Sequence, residues 1–142
     1  MTIPVPPEEK AERLNRLLTV CLLRIAGIGL FGLGIDTWIS LVGIHDGPLF
    51  RFDLMPVWWK MAASALAVLY PVAGVGLWMT VSWGAVIWAI VAAVEIIMHG
   101  VFPDLFGGMT VLILFHVFGL SMLLLLRLVS WWEARRRLRS RG

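Results

Sequence analysis

Apolar residues dominate the chain from position 17 to position 132, broken by short polar or turn-forming stretches rather than by a repeating polar face. No charged residue occurs from Met61 through Val94. Crossing ~30 Å of hydrocarbon takes ~20 helical residues, and one helix over that whole run would be about 50 Å long. The chain must therefore turn back inside it, and Thr80-Val81-Ser82-Trp83-Gly84 is the expected turn. The same reasoning along the rest of the chain predicts four spans at about 20–42, 57–79, 84–102 and 109–129.

Composition turns this pattern into a class. Hydrophobic residues make up 60% of the 142 positions and charged residues 15%, and the mean hydropathy is +0.89. Soluble domains carry about 25% charged residues, so too little polar surface remains for a water-soluble monomer. The expected fold is all-α, a polytopic membrane protein built as a four-transmembrane-helix bundle. It divides into an N-terminal segment 1–16, a transmembrane domain 17–132 and a basic tail 133–142. Pro and Glu precede Lys10, Arg13 and Arg16, unlike a cleavable signal peptide, so the first span is expected to be retained.

Charge supplies an orientation. Lys10, Arg13 and Arg16 precede the first span, and Arg135, Arg136, Arg137, Arg139 and Arg141 follow the last. An even number of spans puts both ends on one side, and the positive-inside rule makes that side cytoplasmic in a bacterial inner membrane. The outer side receives the loop with His45, Asp46, Gly47-Pro48, Arg51 and Asp53, and the short connection at Pro103-Asp104. Trp58, Trp59, Trp78, Trp83, Trp131 and Trp132 fall at span ends, where an indole keeps its N–H near water. Trp88 lies deeper and reads as a packing residue. Arg24, Arg127, Arg135, Arg136 and Arg137 are expected to contact lipid headgroups. No folded reader accompanies them for nucleic acid. Cys21 is the only cysteine, which excludes intrachain disulfides and cysteine metal clusters.

The candidate chemistry is a set of polar residues inside the spans. Glu95 and His99 lie four residues apart in the third, and His116 lies in the fourth. A carboxylate in hydrocarbon costs several kcal/mol unless it is paired or protonated. Asp36 and Lys60 share the same outer half by depth, so five ionisable groups form one expected cluster, with Asp36 against Lys60 and Glu95 against His99 or His116. Gly29 and Gly32 share a helical face with Ile25 and Asp36, which is expected to point into the bundle for close packing. Gly27 and Gly34 would then face a further helix or a second subunit. Pro71 frees a carbonyl one turn earlier and should kink the second span.

Three readings of the cluster stand side by side. It can be a polar clamp that fixes helix register, a proton-handling or quinone-binding pocket, or a metal site using Glu95, His99 and His116. Glu-x-x-x-His lacks the spacing of an established metal motif, so no metal is expected.

Arg24-Ile25-Ala26-Gly27-Ile28-Gly29-Leu30-Phe31-Gly32-Leu33-Gly34 resembles the opening span of the DoxX-like family of small four-helix membrane proteins. Trp83-Gly84-Ala85-Val86-Ile87-Trp88, followed by Glu95, Met98-His99, Phe102-Pro103 and Phe106-Gly107, more closely resembles uncharacterised alphaproteobacterial membrane proteins that share a domain of unknown function. Some DoxX-like proteins are associated with thiosulfate oxidation linked to quinone or with membrane redox stress complexes, so that resemblance implies a quinone and names no catalytic residue here. The expected function is that of a small inner-membrane accessory or structural subunit without a cofactor, with membrane lipids and a homo-oligomer or membrane protein as partners. The alternative is a quinone-linked redox or proton-coupled component using the outer-half cluster, so whether the protein is an enzyme stays open.

Overall fold

Long apolar runs can satisfy their backbone only within themselves once water is excluded, and a helix is how an isolated segment does so. The computed structural model describes residues 7–44 and 51–140 and is all-α over them, with no strand among the described residues. Helix α1 spans Pro7–Val42, α2 Val57–Trp78 and α3 Ser82–Ile96. A π-helical turn, Ile97–Val101, prolongs α3, a short α4 spans Pro103–Phe106, and α5 spans Thr110–Ser140. Four of these helices are long and apolar enough to cross a membrane: α1, α2, α3 with its π turn, and α5. His45, Asp46 and the Gly47-Pro48 turn lie outside the described residues.

Helices α1 and α5 overshoot the spans that hydropathy delimits. At 36 and 31 residues they run about 54 and 46 Å, well beyond ~30 Å of hydrocarbon. The excess lies at the end of the bundle that carries both termini. There Glu12 pairs with Arg137, and the Asn15 side chain donates to Leu126 O and Ser130 Oγ of α5 at 3.2 and 2.7 Å.

Small residues decide the α1–α2 crossing, though not all of those expected. A Cβ on Gly27 would sit 2.9 Å from Gly74 O, and one on Gly74 would sit 2.9 Å from Gly27 O, so the two backbones touch. Gly34 meets Pro71 in the same way, with 3.0 Å from its would-be Cβ to Pro71 Cδ. The face expected to turn inward turns out instead: Ile25 is 67% exposed, Gly32 and Asp36 are exposed, and nothing lies within 4 Å of a Cβ on Gly32. Leu23, Ala26, Gly27, Leu30 and Gly34 form the buried stripe. Both stripes obey three-and-four spacing, and the larger apolar side chains of the second win the core. Gly29 alone of the expected pair packs, against the Phe115 ring of α5.

Pro71 lacks the N–H that would bond to Ala67 O. Trp38 Nε1 of α1 donates to that carbonyl at 2.9 Å, so the proline creates an acceptor and the neighbouring helix fills it. The turn between α2 and α3 comes slightly earlier than expected, at Met79–Val81, and Trp83 and Gly84 already belong to α3. Thr80 adopts a positive φ of 56° there. Gly84 lies against the backbone of Gly76, so close that a Cβ would fall 2.6 Å from Leu77 N.

Candidate functional site

The polar core assembles around Glu95, which is 1% exposed on the last full turn of α3. Its two carboxylate oxygens are both taken. Tyr70 of α2 donates its hydroxyl to Oε1, and His116 of α5 meets Oε2 through Nε2. Trp88, two turns before Glu95 on α3, donates its indole N–H to His116 Nδ1 at 3.0 Å.

That last bond settles the direction of the rest. An indole N–H is a donor only, so His116 Nδ1 must present a lone pair, and the imidazole proton sits on Nε2. His116 is therefore a neutral ring that donates to Glu95. The carboxylate ends a chain of donors: Trp88 to His116 to Glu95 on one side, Tyr70 to Glu95 on the other. Every link joins two different helices, and His116 and Trp88 are wholly buried. Gly119 makes room for this packing, since a Cβ there would lie 2.6 Å from Trp88 Cη2. Phe115 packs edge-on to His116, with ring centroids 5.2 Å apart.

His99 goes elsewhere. Its α-helical register with Glu95 would stack it on the same face, but the π turn inserts an extra residue, shown by Phe102 N–H reaching Ile97 O at 3.1 Å. His99 Nδ1 instead lies 2.7 Å from Gly107 O. A carbonyl can only accept, so Nδ1 carries a proton and donates it. This ties the π turn to the Gly107-Gly108 stretch beyond α4. The ring also lies beside Trp59, centroids 6.5 Å apart, and Trp59 stacks edge-on against Phe106 at 5.3 Å.

A cavity of about 240 Å³ opens beside this network, at the end of the bundle away from the termini. Asp36, Trp59, Tyr70, Glu95 and His99 contribute its polar wall, and the remainder, including Leu33, Leu66, Met98 and Leu112, is mostly apolar. Trp59 Nε1 is buried there without a hydrogen-bond partner among the described residues. An orphaned buried N–H costs about 1–3 kcal/mol, which makes it the one wall group with an unmet demand for an acceptor.

The expected five-residue cluster is thus split. Glu95 and His116 meet directly, His99 and Asp36 share the cavity wall with Glu95, and Lys60 stands apart. Lys60 does not pair with Asp36. Its ammonium reaches Asp53 O at 3.5 Å and lies 5.4 Å from the Phe52 ring centroid, because residues 52 and 53 lie beside the start of α2. In that connection Arg51 bonds Asp53 at 2.9 Å and holds its carboxyl below the usual range. Among the described residues no three His, Cys, Asp or Glu side chains are grouped to hold a metal ion, so Glu95, His99 and His116 do not converge as a ligand set.

Two members of the network lie outside the cluster that the sequence points to. Tyr70 is the only tyrosine in the chain, and its position one residue before Pro71 is a usable signal. Trp88 reads as a packing residue by depth, yet its N–H fixes the imidazole. Of the arginines, Arg24 lies 5.3 Å from the Trp78 ring centroid and Arg135 lies 4.0 Å from that of Trp131, both at the terminal end.

Residues 17–134 match a family of unknown function (DUF6163), and the chain belongs to it. No curated protein and no solved structure matches the chain.

Proposed function

We propose that this member of the family is a small accessory component of a bacterial inner membrane that holds the ring of a quinone in the cavity beside Glu95 and exchanges a proton with it. The observation that carries this reading is the orphaned Trp59 N–H in a cavity whose floor is the end of a donor chain. A quinone carbonyl supplies the acceptor that Trp59 lacks. A quinol hydroxyl could hand its proton to Glu95, whose anionic form Tyr70 and His116 stabilise by donating to it. The apolar walls suit the ring and its isoprenoid root. By the positive-inside rule both termini lie in the cytoplasm, and the cavity lies towards the opposite face.

Purification in gentle detergent followed by lipid extraction tests it. The wild type should retain quinone, and Trp59→Phe, which keeps the ring and removes the N–H, should lower retention about tenfold, the worth of ~1.4 kcal/mol. Retention unchanged by Trp59→Phe would end this reading.

A second reading rests on the completeness of the network. Every polar atom from Trp88 to Tyr70 is paired, as a clamp holding α2, α3 and α5 in register requires. Under that reading Glu95→Gln lowers thermal stability in detergent and leaves any quinone-dependent phenotype proportional to protein level. A normally abundant E95Q protein that loses the phenotype points to the pocket instead.

A further inference from the structure

The opposite end of the bundle holds a second polar site, a cleft of about 450 Å³ between the overhanging parts of α1 and α5. Its chemistry begins with Asn15, which is 8% exposed. Leu126 O can only accept, and Ser130 gives its hydroxyl proton to that same carbonyl at 3.0 Å. Asn15 must therefore turn its NH2 towards both, as it does, and the amide cannot be flipped without losing two bonds. Its Oδ1 is left buried, with no donor among the described residues.

Around Asn15 the cleft carries two cations and two anions: Arg16, Arg127, Glu12 and Glu133. Glu12 is paired with Arg137, while no ion pair engages Arg16, Arg127 or Glu133 among the described residues. The site lies where α1 and α5 pass from apolar to charged sequence, the level at which lipid headgroups sit.

We propose that this cleft binds the headgroup of an ethanolamine phospholipid, its phosphate on Arg16 and Arg127 and its ammonium on Glu133 and the Asn15 Oδ1. Three features select that headgroup. Arg16 and Arg127 suit the phosphate, and Glu133, which no ion pair engages among the described residues, suits an ammonium that an anionic glycerol headgroup does not bring. The orphaned oxygen needs a donor, which a primary ammonium has and choline lacks. The position at the helix overhang suits a lipid rather than a soluble molecule, because the acyl chains can remain in the bilayer beside α1 and α5.

Native mass spectrometry of the full chain in detergent tests this with phosphatidylethanolamine, its N-monomethyl and N,N-dimethyl derivatives, phosphatidylcholine and phosphatidylglycerol of identical acyl chains. Binding should hold at the monomethyl lipid, which keeps two N–H groups for the two acceptors, and fall about tenfold at each further step, to the dimethyl lipid and to choline, the effect of losing one charge-assisted hydrogen bond of ~1.5 kcal/mol each time. Glu133→Gln, at a half-buried position with no hydrogen bond or ion pair among the described residues, should narrow the preference for ethanolamine over glycerol headgroups. Choline binding equal to ethanolamine, or phosphatidylglycerol binding tighter than ethanolamine in the wild type, would overturn the proposal. So would soluble glycerophosphoethanolamine binding as tightly as the lipid, since the site would then serve a free metabolite.

Discussion

At the scale of single residues, the decisive atom is the indole nitrogen of Trp88. Because it can only donate, it forces the Nε2–H tautomer on His116 and makes Glu95 the sink of the network. Nitrogen-15 NMR of histidine-labelled protein should show His116 as a neutral ring protonated at Nε2, and a proton on Nδ1 would contradict the arrangement. Tyr70→Phe removes one of the two donors to a buried carboxylate and should cost about 1–2 kcal/mol in detergent unfolding. A Tyr70→Phe variant as stable as wild type would mean that Glu95 does not depend on the tyrosine. Glu95 was legible in the sequence because a carboxylate in an apolar run has few explanations. Its partners were less so, since Tyr and Trp read equally well as interfacial or packing residues, and only the fold brings positions 70, 88 and 116 together.

At the scale of helices, hydropathy located four apolar segments, and helical spacing alone could not choose which face of α1 turns inward. Two stripes fit the spacing: one through Ile25, Gly29, Gly32 and Asp36, the other through Leu23, Ala26, Gly27, Leu30 and Gly34. The second is buried because it pairs glycine with glycine at the crossing and brings leucines to the core. The contrast yields a paired test. Gly74→Ala forces a methyl within 3.2 Å of Phe31 Cβ and 2.9 Å of Gly27 O, and should destabilise by about 1–3 kcal/mol. Gly32→Ala meets nothing within 4 Å and should be neutral or stabilising by up to about 1 kcal/mol. Equal losses from both would show that α1 packs through the other face. The π turn was equally hidden. Within it His99 bonds to Gly107 O rather than to the Glu95 carboxylate, although both side chains line the cavity.

At the scale of the whole molecule, the bundle has two different ends. The terminal end is long, charged and knit by Asn15, Glu12 and Arg137, and the other end holds the cavity. Hydropathy placed the outer span limits near 20 and 129 because it senses transfer into lipid, whereas helix continuity depends on local backbone bonds, and α1 runs back to Pro7 with Arg13 donating to Glu9 at 2.7 Å along it. Orientation is the property on which both proposed sites depend. Basic residues cluster at the terminal end, so a periplasmic reporter such as alkaline phosphatase should be inactive when fused after Gly142 and active when inserted between residues 44 and 51. Reversal of both signals would move the headgroup cleft to the outer leaflet and the Glu95 cavity towards the cytoplasm. The proton exchanged at Glu95 would then pass on the cytoplasmic side, a physiologically different act performed by the same set of bonds.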